Sequence, residues 1–189
     1  MKIPSTCDPY DILLNHNLWA TRELLRVARK LTPEQFAQPF KIGLAEKSGL
    51  HGLLTHIISV MGRWADRIAG KPPRLPLEPA WGGYTGAVDA KVRTPDELDA
   101  ILDTNHRDLA ALVPAIRADP GRVVRVDFGV APSAFTASAL LLHVLTHGHY
   151  HRAQAVNVLR QLNIADVSDK LPDLAVITWQ ATTDLREQP

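Results

Sequence analysis

Four long stretches of this 189-residue chain repeat apolar residues at helical spacing, and capping or stop signals bound them. A helix of that kind must bury one apolar stripe, and four of them close on one another as a bundle. Asp8-Pro9 opens the first stretch, with Asp as N-cap and Pro at the first helical position. Leu14, Leu18, Leu25 and Ala28 make its stripe, interrupted by Asn15-His16-Asn17, which reads as solvent-exposed. The alternative puts His16 or Asn17 at the mouth of a site. Ser48 or Gly49 begins the second stretch, which runs to about Ala69 with Leu53, Ile57, Val60, Trp64 and Ile68 on one face. Thr94-Pro95-Asp96-Glu97 is a full capping box and starts the third, with Asp119-Pro120-Gly121 at its end. The fourth follows Thr136 and reaches about Leu162, where Asn163 suits a left-handed terminator.

The connections carry their own signals. Thr32-Pro33-Glu34-Gln35 caps a short turn that Pro39 ends. Residues 71–93 are rich in Pro and Gly, which predicts a long irregular connection, and Trp81 and Tyr84 could anchor it as a lid. Val123 to Val130 alternates and predicts a two-stranded ribbon or an extended connection. Pro172 is expected to begin a last short helix containing Leu174, Val176, Ile177 and Trp179. The expectation is therefore all-α: one domain over residues 1–189, a four-helix bundle with a long loop and short accessory helices.

The fourth helix holds the densest chemistry. His143-Val-Leu-Thr-His147-Gly-His149-Tyr-His151-Arg-Ala-Gln154 contains four of the eight histidines. Residues four apart share a helix face, so His143, His147 and His151 form one stripe, and His149 points elsewhere. Two imidazoles one turn apart can close on one divalent ion at about 2.0–2.1 Å, but the stripe spans about 12 Å and cannot converge as a whole. Either adjacent pair can do so, and a further ligand must then come from another helix. His56, inside the apolar run Leu53-Leu54-Thr55-His56-Ile57-Ile58, is a candidate; a histidine so placed is more often bonded to a core carbonyl. His106 reads as a surface or structural group, and Asp66 and Asp108 as solvated charges rather than bases.

A net charge of +1, with 22% charged and 46% apolar residues, gives no basic patch for nucleic acid or a membrane surface. The single Cys7 excludes an internal disulfide framework. No apolar run approaches the roughly 18 residues of a membrane span. No secretory signal precedes Asp8 and Asp11, so the expected location is cytoplasmic.

From about Tyr10 to Leu162 the chain resembles the DinB/YfiT-like family. Trp19 with Leu24-Leu25, Leu53-Leu54-Thr55-His56 with Trp64, the Pro/Gly-rich connection, and above all His143 to Gln154 carry the resemblance. The last looks like the family's HxxxHxxxHRGQ-type signature, with Ala153 where Gly is usual and Thr146 for the commoner Asn. The resemblance implies an up-down-down-up bundle, a homodimer, and a nickel or zinc ion held by His56, His147 and His151. His143 would then stand one turn from the ion, as a pocket group or a plain structural one, and Gln154 could bond a neighbouring ligand or the backbone.

Three neutral nitrogens leave a coordination position open and the ion's full charge uncompensated, which favours hydroxide, thiolate or carboxylate there. The resemblance implies a metal-dependent enzyme acting on a small-molecule substrate. It would be either a thiol-dependent S-transferase using a low-molecular-weight thiol or a hydrolase. The alternative is a non-catalytic metal-binding or stress-related bundle. The absence of a His-Glu-x-x-His motif argues against a glutamate-assisted metalloprotease.

Overall fold

The computed structural model describes residues 8–41, 49–77, 87–89, 91–127 and 132–182. Four long helices dominate it: α1 (Pro9–Ala28), α3 (Leu50–Ile68), α4 (Pro95–Ala118) and α5 (Ala137–Leu162). Two short helices, α2 (Pro33–Ala37) and α6 (Val176–Thr182), a single 3-10 turn (Ser168–Lys170) and a two-stranded sheet complete it. The caps act where the sequence puts them. The Asp8 side chain accepts from the Tyr10 and Asp11 amides, and Thr32 and Thr94 each close a capping box. Asn163 ends α5 at φ 49°. The last helix starts later than expected, at Val176, because Asp173 first accepts bonds from the Ala175 amide and the Thr178 hydroxyl.

Side-chain pairs between helices give their directions. Arg117 reaches Asp8 and Asp11, Arg22 reaches Asp99 and Asp103, and Arg29 reaches Asp96, so α1 and α4 are antiparallel. Asn17 and Thr21 both meet Arg152, and a Cβ on Gly148 would meet Asn17, so α1 and α5 run parallel. His56 faces His147 and Trp64 faces His143, so α3 and α5 are antiparallel. The order is up-down-down-up. Neighbouring α3 and α4 are consequently parallel, and α3 is about 28 Å long. The chain must return that whole length between them, which gives the Pro/Gly-rich connection a topological reason. Trp81 and Tyr84, its expected lid anchors, lie outside the described residues, as does Cys7.

Leucines carry the core: Leu24 and Leu25 of α1, Leu50, Leu53 and Leu54 of α3, Leu102 and Leu109 of α4, and Leu141 and Leu159 of α5 are fully buried. Strands β1 (Val123–Asp127) and β2 (Pro132–Thr136) pair antiparallel, with Val123 opposite Thr136. Val124 and Val126 turn inward, while Arg122 donates to the Ile68 carbonyl. The ribbon therefore plugs the end of the bundle where α3 stops. Thr136 then caps α5 by accepting from the Ala139 amide. Among the described residues no helix is long and apolar enough to cross a membrane.

Two sequence expectations fail. Asn15-His16-Asn17 is not an exposed interruption: His16 and Asn17 are buried. The segment before α6 folds over α1, His16 Nε2 bonds the Leu174 carbonyl at 2.8 Å, and Trp19 and Trp179 flank the imidazole. Asp66 is not a solvated charge. It is buried beneath Arg74, which doubles back after Pro72-Pro73 to bond both of its oxygens. Asp108 joins the same arginine, in a more exposed position.

Candidate metal centre

The site forms where the first third of α3 meets the middle of α5. His147 and His151 project from the same face of α5, one turn apart, and His56 faces them from α3. The ring centroids form a near-equilateral triangle: 4.9 Å from His56 to His147, 4.8 Å from His56 to His151, and 4.4 Å from His147 to His151. One nitrogen from each lies within 4.8 Å of the other two. His56 Nε2 and His147 Nε2 are 3.1 Å apart. Two nitrogens holding one ion at about 2.05 Å in a tetrahedral arrangement would be about 3.3 Å apart, so this pair is already near the spacing an ion requires.

The side chain behind His151 fixes its ring. His151 Nδ1 lies 2.6 Å from Gln154 Oε1, an oxygen that can only accept. An acceptor at that distance favours the tautomer with its proton on Nδ1, which leaves the Nε2 lone pair for a ligand. Such outer hydrogen bonds set the tautomer and orientation of metal-ligating histidines. The sequence left Gln154, three residues on along the same helix, to bond either a neighbouring candidate ligand or the backbone; it bonds His151.

The neighbourhood suits neutral imidazoles. Burial pushes His147 down to about 3, with His151, His56, His143 and Arg63 adding repulsion to a proton there. Burial also lowers His151, against the opposing bond to Gln154. His56 and His151 are buried and His147 is half-buried, so His147 is the member of the three most open to solvent. Among the described residues no carboxylate or cysteine joins the cluster, and three protein nitrogens leave a coordination position for a ligand.

His143 is exposed and outside the triangle, its ring edge-on to Trp64 at 5.4 Å and 5.6 Å from His147. His149 is exposed on another face. His106 is half-buried, with burial lowering its pKa, and stands on α4, away from the cluster. Sequence reasoning gave no weight to Arg152. This arginine is 3% exposed and lies directly after His151, on the α1 side of α5. No local signal marks it as buried, because its partners Asn17 and Thr21 lie on α1, more than 130 residues earlier in the chain.

These imidazoles make the metal-free fold acid-sensitive. Burial lowers His16, His147 and His151 below the ordinary value of 6.5. Above pH 6.5 the lowered values contribute nothing to the pH dependence, because both folded and unfolded chains are neutral there. Below it the unfolded chain binds protons that the folded chain refuses, so stability falls as pH drops. Each such proton removes about 1.4 kcal/mol per pH unit. The urea midpoint of the metal-free protein is expected to fall steadily from about pH 6.5 to pH 5. A flat midpoint across that window would show that these histidines are not held neutral.

The family model of the DinB family matches residues 6–183 of the chain. No curated protein and no solved structure matches it.

Proposed function

The chain belongs to the DinB family, and on that footing we propose that it binds one divalent ion, nickel or zinc, through His56, His147 and His151. We further propose that it uses this centre as a metal-dependent enzyme of the thiol-dependent S-transferase or hydrolase type. The observation that carries the reading is the convergence of three imidazoles from α3 and α5 with no fourth protein ligand among the described residues. A closed four-ligand set would suit a structural staple; an open three-nitrogen set suits chemistry. An ion bound there supplies Lewis acidity toward a water or a small thiol.

The chain's own residues do the rest. Gln154 holds the His151 ring so that Nε2 faces the centre. The apolar packing of Leu53, Leu54, Ile57, Val144 and Ala155 around the two helices keeps bulk water from the ligand bases. Arg63 places a positive charge near His147, which favours anionic substrates at that edge. The uncharged donor set leaves an ion's +2 charge for a thiolate or carboxylate to neutralise. A homodimer, and a small-molecule substrate carrying a thiol or a hydrolysable bond, belong to the same proposal.

The test is metal analysis of untagged protein, followed by a reactivity screen of metal-loaded and metal-free forms. About one ion per chain, with thiol transfer or hydrolysis seen only in the loaded form, is the expected result. Stoichiometric metal with no reaction across both screens would leave a metal-binding protein without catalysis. No uptake after reconstitution with zinc and nickel would overturn the reading.

A further inference from the structure

We propose that Arg152 and Asn17 are positioning residues for this centre, holding α5 at the rotation that turns His147 and His151 toward His56. The inference rests on the metal reading above. Gly148 and Arg152 each follow a candidate ligand by one residue. One residue is about 100° around a helix, so they form a second stripe beside the histidine stripe. The first stripe faces α3 and the second faces α1. Arg152 Nη1 donates to Asn17 Oδ1 at 2.5 Å and to Thr21 Oγ1 at 3.3 Å. Asn17 Nδ2 in turn approaches Met61 Sδ of α3 at 3.8 Å. One amide thus touches both helices that supply the triad.

Two features are costly unless they serve this geometry. Arg152 is buried, and its partners are the neutral oxygens of Asn17 and Thr21, with no carboxylate among the described residues. A guanidinium stays charged at neutral pH. A buried charge without a counter-charge stabilises a fold less than an apolar side chain of the same volume. Gly148 also sits mid-helix, where glycine is a poor helix former. A Cβ there would lie 2.6 Å from Asn17 Oδ1 and 2.9 Å from Arg152 Nη1. The clamp occupies the space that a side chain would need.

The tolerance of a metal site makes rotation matter. An imidazole nitrogen stands several ångströms from the helix axis, so turning α5 by about 10° moves it about 1 Å. Metal-ligand distances tolerate only about 0.2 Å. Packing of leucines alone sets helix rotation loosely; a hydrogen bond between fixed groups sets it tightly.

The test is Co(II) titration of the full chain, reading affinity by calorimetry and ligand geometry from the visible d–d bands, with folding checked by circular dichroism. Arg152→Met and Asn17→Leu are each expected to weaken binding about tenfold or more and to shift the bands. Asn17→Asp keeps the acceptor oxygen and is expected to retain the wild-type spectrum. If Arg152→Met does not fold, the Asn17 pair decides alone. Variants that melt earlier but keep wild-type affinity and bands would overturn the inference and leave the metal reading standing. A wild-type chain that binds no Co(II) would overturn both.

Discussion

Replacing His147 with alanine is expected to lower affinity for zinc or nickel by at least about 100-fold, the upper end of what losing even an outer-shell partner costs. His147 is the common member of both pairs that helical spacing allows, and its Nε2 lies 3.1 Å from His56 Nε2. Without it, His56 and His151 remain as two ligands on separate helices. The metal-free fold should survive, because the ring is half-buried and the leucine core around it is untouched. It should also resist acid better, since a group held far below its ordinary pKa has been removed.

Two further variants identify the pair. His151→Ala is expected to match His147→Ala, and His143→Ala to stay near wild type, because His143 lies outside the triangle against Trp64. Calorimetric titration and the thermal shift on metal addition both read this. Saturation at about 100 times the dissociation constant stabilises a fold by about 2.7 kcal/mol, a shift that disappears when binding does. Loss of binding in His143→Ala but not in His151→Ala would move the ion to the other pair. Unchanged binding in His147→Ala would remove the triad altogether.

The fold was legible in the sequence where signals are local. Asp8, Thr32 and Thr94 announced their helices because a cap needs only its next three residues. The pairing of Gln154 with His151 was legible for the same reason, being three residues along one face. Spacing could not choose between His143/His147 and His147/His151, because both pairs are identical on an isolated helix. Only the position of His56 across the interface separates them, and that is tertiary. The errors have the same origin. His16 looked exposed because the segment that covers it lies 158 residues away. Asp66 looked solvated because its arginine follows two prolines, and periodicity does not say which loop residue returns to the helix. Arg152 passed unnoticed because a charge one step from a functional stripe usually faces water.

Arg74→Met is expected to cost about 3 kcal/mol, because removing one partner of a buried ion pair strands the other charge. Asp66 is 8% exposed, and Arg74 supplies three bonds to its oxygens: two from the guanidinium and one from the Arg74 amide. The same guanidinium bonds Asn105 Oδ1, whose amide donates to the Ile58 carbonyl of α3. A Cβ on Gly62 would lie 2.7 Å from Asn105 Oδ1, so α3 and α4 are packed as closely as this network permits. Arg74 itself is about a third exposed, which keeps the expected loss at the lower end of the range for buried pairs. In a chain of this size the loss should appear as a fall in Tm of roughly 6–12 °C. Burial alone would raise the Asp66 carboxyl, but the Arg74 bonds outweigh it and hold it below its ordinary 3.8. That stabilisation is present above about pH 4 and is lost as pH falls through the lowered value, so the variant should also lose part of the wild-type acid limb. The double variant Arg74→Met, Asp66→Asn should recover part of the loss, since no charge then remains buried without a partner. Metal affinity should hold in both, because Asp66 stands about 15 Å along α3 from His56. A loss below about 1 kcal/mol would mean that solvent already screens the pair as at an ordinary surface. A double variant no better than the single would show that the arginine stabilises through Asn105 and the start of the crossover rather than through the Asp66 charge.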